Sequence, residues 1–153
     1  RHNVATAGLF KLSRRGLVDG HKELAVAAEY KERMNIRSHS VLQQAGSLSG
    51  GNQQKVVLSK WLYTDADVLI LDEPTRGIDV GAKFEIYTLI NKMVEEGKAV
   101  IVISSELEEI LGVSDRIYTL AYGRITGEVK SDDATQENLM ELMTIEPARE
   151  EQK

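Results

Sequence analysis

An α/β fold, a mainly parallel sheet flanked by helices, is predicted by three observations. Two short apolar runs, Val68-Leu69-Ile70-Leu71 and Ala99-Val100-Ile101-Val102-Ile103, lack the alternation of a half-exposed strand and read as strands buried on both faces. Between them Phe84, Ile86, Leu89, Ile90 and Met93 recur at helical spacing, with Asp79 as N-cap and Gly97 as stop. The first run ends in two carboxylates, Asp72 and Glu73, at the strand end beyond which such sheets bind ligands.

The remaining elements follow in chain order. Residues 1–18 mix apolar and basic side chains and begin without Met, which reads as a fragment. Asp19 or Gly20 opens a weakly apolar helix through Leu24, Ala27, Ala28, Lys31 and Met34, of the kind that lies on a surface. Ser49 is an N-cap for a helix carrying Val56, Val57, Leu58, Trp61 and Leu62. Ser104 or Ser105 caps a short helix through Leu107, Ile110 and Leu111, stopped by Gly112. Residues 117–122 and 125–129 flank Gly123-Arg124 as a hairpin. Thr135 to Met143 reads as a helix burying Leu139, Leu142 and Met143, and the polar tail from Pro147 as frayed.

Composition narrows the function classes. The 153-residue chain holds no cysteine, so it has no disulfide framework, and a zinc site is improbable because His2, His21 and His39 share no ligand spacing. A net charge of −5 without a basic, aromatic-rich patch argues against nucleic acid as a partner. No apolar run approaches the length of a membrane span.

Two stretches carry chemistry. Asp72 and Glu73 point to opposite sides of their strand, which suits Asp72 to a hard cation such as Mg²⁺ and Glu73 to a water. Pro74 is expected to keep Glu73 extended. The alternative is a strand capped by a solvated acidic turn. In Ser49-Gly50-Gly51 the glycines let a phosphate approach helix amides that lack intrahelical partners, and the helix dipole adds to the attraction. Its alternative is a turn that merely starts a helix.

Leu48-Ser49-Gly50-Gly51-Asn52-Gln53-Gln54-Lys55 closely resembles the signature motif of ATP-binding cassette proteins, with Asn52 where the commonest version has Gln. Leu69-Ile70-Leu71-Asp72-Glu73-Pro74 resembles the Walker B segment of the same family, at the right distance downstream. The wording through Thr75-Arg76-Gly77-Ile78-Asp79-Val80-Gly81-Ala82-Lys83 is similar to the second cassette of the tandem-cassette ATPases of bacterial importers of ribose, galactose, xylose and arabinose. The resemblance runs from about residue 34 to residue 130.

It implies a division into part of a helical subdomain (1–46), part of the α/β core (47–130) and a C-terminal helix and tail (131–153). It also implies ATP and Mg²⁺ as cofactors, with Asp72 at the metal and Glu73 at the water. Ser49, Gly50, Gly51 and Asn52 would face the nucleotide of another cassette, and Asp79 would fall in the D-loop at that interface. Ser105 stands where the family usually places a switch His. The implied partners are a second cassette, transmembrane permease subunits and, indirectly, a periplasmic sugar-binding protein, at the cytoplasmic face of the inner membrane. No Gly-x-x-x-x-Gly-Lys-Ser/Thr loop occurs, so the chain reads as the C-terminal part of a cassette, inactive alone. Its apolar surface is expected to favour dimerisation. The alternative function is a non-catalytic module that presents its signature to a partner.

Overall fold

The computed structural model describes residues 1–14 and 16–145. The expected frayed tail from Pro147 lies outside them. The chain divides into two compact units, Arg1–Ile103 and Ser104–Lys153.

The first unit begins with two single-turn helices, α1 (His2–Ala5) and α2 (Leu9–Leu12), and a small antiparallel pair, β1 (Ser13–Arg14) and β2 (Leu17–Val18). Helix α3 (Gly20–Arg33) starts where expected. The Asp19 carboxylate accepts from the amides of His21 and Lys22, and these bonds, that from Lys22 foremost, hold it below the usual carboxylate range.

Helix α4 (Gly50–Tyr63), strand β3 (Val68–Asp72), helix α5 (Val80–Glu95) and strand β4 (Ala99–Ile103) follow. β3 and β4 pair in parallel, Val68 opposite Ala99 through Asp72 opposite Ile103. Gly97, with φ of 88°, ends the helix between them as predicted.

The core is one-sided. Leu69 and Leu71 join Leu58 and Leu62 of α4 and Ile86, Ile90 and Met93 of α5, with Val4, Tyr30, Met34 and Ile36 completing the cluster. Val68, Ile70, Ile101 and Ile103 are exposed on the other face. The expectation of strands buried on both faces is therefore corrected: helices cover one face of this two-stranded sheet. Phe84, which recurs at helical spacing with the buried Ile86, Ile90 and Met93, is itself exposed.

The second unit holds α6 (Leu107–Val113), the hairpin β5 (Arg116–Ala121) and β6 (Arg124–Lys130), and α7 (Gln136–Met143). The turn falls at Tyr122 and Gly123, one residue before the expected Gly123-Arg124, because Arg124 already pairs with Ala121; their φ of 50° and 74° are the positive values that a two-residue hairpin turn requires. Thr135 and Asn138 form a reciprocal capping box on α7. Leu139 is buried, but Leu142 is half-buried and Met143 exposed, so the expected buried trio reduces to one residue. The N-cap of α6 is Glu106, not Ser104 or Ser105, and the helix runs past Gly112 to Val113. The Ser104 hydroxyl instead closes a turn by accepting from the Glu106 amide at 3.0 Å.

Candidate functional site: a strand tip and a helix tip

The first unit carries its predicted site residues in two places, the end of β3 and the start of α4. At the first, Asp72 ends the strand and is exposed. The Glu73 amide donates to the Ile103 carbonyl at 2.8 Å, extending the ladder by one residue. Glu73 has φ of 48°, so it is left-handed, not extended. Proline excludes the right-handed helical region from its predecessor. Here the ladder bond fixes one side of the turn and the buried Pro74 and Thr75 fix the other, leaving a reversal that extended backbone cannot make. Such a conformation costs about 1 to 3 kcal/mol at a residue other than glycine and persists because its surroundings impose it.

The turn continues through amide bonds from Arg76 to the Glu73 carbonyl and from Ile78 to the Thr75 carbonyl, each 3.2 Å, with Gly77 at φ of 72°. It delivers Asp79 to the start of α5, where the carboxylate accepts from the Ala82 amide at 3.0 Å. The N-cap reading of Asp79 is thus observed directly.

At the second place Ser49 occupies the N-cap position of α4, but its side chain makes no capping bond. Its hydroxyl oxygen accepts from Asn52 Nδ2 at 2.8 Å. Asn52 Oδ1 in turn accepts from the Arg37 amide at 2.7 Å. A Cβ on Gly51 would lie 2.6 Å from the Cβ of Ala82, and one on Gly50 would lie 3.8 Å from the Gly77 carbonyl. Gly51 therefore lets the tip of α4 pack against the first turn of α5, a reason that sequence reading missed when it assigned the glycine to phosphate approach alone.

Three further residues escaped sequence reading. Lys55 is buried, and its ammonium donates to Glu85 Oε2 at 2.6 Å and to the Asn35 carbonyl at 3.1 Å. Arg37 donates to Glu85 Oε1 at 3.0 Å. The hydrogen bond from Lys55, reinforced by its charge, holds the Glu85 carboxyl below the usual range. The signal was present: Lys55 sits on the buried stripe of Gly51, Leu58, Ser59 and Leu62, and a lysine there demands a partner.

Ser105 is exposed and belongs to the second unit. Among the described residues no group of three or more His, Cys, Asp or Glu stands ready to hold a metal. One exposed carboxylate at Asp72 fits Mg²⁺ that arrives with phosphate oxygens and keeps several waters, and does not fit an all-protein cage. A half-open cleft lined by Lys31, Ile36, Ser38, Leu48 and Val56 lies elsewhere and includes none of the predicted site residues.

The ABC transporter family model matches residues 4–76. The dimeric ATP-binding cassette MJ0796, solved in a post-hydrolysis state with ADP and Pi, superposes with a TM-score of 0.69 at 24% identity, over 84% of this chain and 56% of that one. The chain has the ABC ATPase cassette fold. Its sequence is similar to those of sugar-import ATP-binding proteins. It is 54% identical to the L-arabinose transport ATP-binding protein AraG of Geobacillus stearothermophilus over 144 residues, 94% of this chain and 28% of the relative. With the ribose import ATP-binding protein RbsA of Bacillus subtilis (strain 168) the identity is 51% over 144 residues, 94% of this chain and 29% of the relative. The chain thus spans less than a third of the length of these relatives.

Proposed function

We propose that the chain is the signature-bearing, C-terminal part of the second cassette of an ATP-binding subunit that couples ATP hydrolysis to sugar import. The observation that carries this reading is the seating of the α4 tip against α5 and the turn that leaves β3, with Gly51 against Ala82. It joins a helix start able to donate hydrogen bonds to a phosphate and an acid-tipped strand in one packed body. The sugar comes from the relatives, whose names specify L-arabinose and ribose import.

Mg²⁺ with ATP would supply the transferred phosphoryl group and neutralise its charge. Asp72 would hold the ion directly or through water, and Glu73 would orient the attacking water or take its proton. The Ser49 hydroxyl and the amides of Gly50 and Gly51 would donate to the γ-phosphate of a nucleotide held by another cassette. Asp79 would stand at the interface between them. Residues 1–46 would be part of the helical subdomain facing permease subunits, with a periplasmic sugar-binding protein acting indirectly and the assembly at the cytoplasmic membrane face. Ser105 is shorter than the usual His and cannot become cationic, so the site built on Asp72 and Glu73 would turn over slowly. Alone, the chain lacks the loop that supplies most phosphate donors and would not hydrolyse ATP.

The test uses the full-length protein assembled with its permease. Glu73→Gln should leave nucleotide binding intact and slow turnover at this cassette's own site by about 10² to 10⁴. Unchanged site-resolved turnover would favour the alternative, a module that only presents its signature.

A further inference from the structure

Ser49 reaches a phosphate as a hydrogen-bond donor only if its single proton points outward, and the surrounding bonds decide that. The Arg37 amide is a backbone donor, so the Asn52 atom that meets it at 2.7 Å must be the carbonyl oxygen. The opposite end of the Asn52 side chain is then its NH₂ group, which donates to Ser49 Oγ at 2.8 Å. A hydroxyl that accepts from Asn52 keeps its own proton for another acceptor. The segment bearing the Arg37 amide is itself pinned on two sides: the buried Lys55 holds the Asn35 carbonyl, and Glu85 holds both Lys55 and the Arg37 guanidinium. A chain of directed bonds therefore runs from α5 through Arg37 and Asn52 to the tip of α4.

We propose that Asn52 is a positioning residue, locked by the Arg37 amide, that sets the Ser49 hydroxyl to donate toward the nucleotide phosphate. This rests on the functional reading above and changes the part expected of Asn52, from direct contact with the nucleotide to action through Ser49. Both ends of its amide are already engaged, one in fixing its orientation and one in fixing that of Ser49. Shared geometry also links the two cassette elements, since Glu85 lies on the helix that Asp79 caps.

The test is a double-mutant cycle in the full-length protein assembled with its permease, reading ATP turnover at saturating nucleotide. Ser49→Ala is expected to lower turnover by about 10²-fold or more, as loss of one preorganised donor does. Asn52→Ala should lower it about tenfold, and the double variant should match Ser49→Ala alone, because a residue acting through Ser49 has nothing left to position. Multiplicative losses in the double variant would overturn the proposal while leaving the functional reading intact. A wild-type assembly without ATPase activity would overturn that reading and the proposal with it. A second measurement needs no activity. In the 153-residue chain the Asn52 side-chain amide resonances should shift on Ser49→Ala, and the Arg37 amide resonance on Asn52→Ala. Asn52 resonances indifferent to Ser49→Ala would sink the proposal whatever the protein hydrolyses.

Discussion

Gly51 shows how one hydrogen atom in place of a methyl group joins two motifs. With a 2.6 Å approach awaiting any Cβ, Gly51→Ala must push α4 away from Ala82, and overpacking of this kind costs about 1 to 3 kcal/mol. Ser49→Ala removes no capping bond, so its cost to stability should be only a few tenths of a kcal/mol, well below the usual loss on removing an N-cap. Denaturant titration of the two variants checks the contrast, and equal losses would mean that the tip of α4 is not seated as described. The same contact makes Gly51→Asp a poor probe of phosphate binding, because it disturbs packing as well as charge. At this scale the sequence marked Ser49, Gly50 and Gly51 as a helix start and did not show what they pack against. Serine, glycine and asparagine in a row announce a helix start, but Ala82, against which Gly51 packs, lies thirty-one positions on and leaves no local signal.

Helices α4 and α5 are tied by Lys55 and Glu85, and that tie has a pH dependence of definite sign. The Glu85 carboxyl is held below its ordinary value, so its stabilising contribution is complete above the ordinary carboxylate pKa and is lost as pH falls through the depressed one. Glu85→Gln should destabilise the chain by about 1 to 3 kcal/mol near neutral pH. That is less than for a fully buried pair, because the Glu85 side chain is 38% exposed and water screens it. Urea titrations of both forms between pH 7 and pH 3 should converge at the acid end; a gap that widens there would reverse the sign argued here. Elements were the most legible level. The periodicity of α5, the capping of α3 and the existence of the hairpin follow from local chemistry, although its turn lies one residue before Gly123-Arg124. Burial did not, because an unalternating apolar run is the same whether one face of its sheet is covered or two. Glu73 was misread for a related reason, since the left-handed turn is imposed by the ladder bond to Ile103, which lies on another strand.

The whole molecule presents an apolar sheet face, with Ile70 65% and Ile101 51% exposed. Parallel sheets are normally covered on both sides, so the 153-residue chain should associate with rising concentration, and Ile70→Lys with Ile101→Lys should suppress this. Sedimentation velocity reads the outcome, and a chain that stays monomeric at every concentration would contradict it. The need for a cover was legible in the two apolar strands, but the exposure of one face was not, because an apolar run carries no sign of which of its faces the helices will cover. The central claim of the proposal is that the start of α4 donates hydrogen bonds to the phosphate of a nucleotide on another cassette, and that Ser105 contributes less to turnover than Ser49 does. The most direct measurement is ATP turnover and sugar uptake by the full-length protein in its transporter, with Ser49→Ala compared against Ser105→Ala. Ser49→Ala is predicted to reduce both rates by about 10² to 10³ with little change in stability, and Ser105→Ala by less than about tenfold. Abolition of activity by Ser105→Ala, with Ser49→Ala tolerated, would contradict the account.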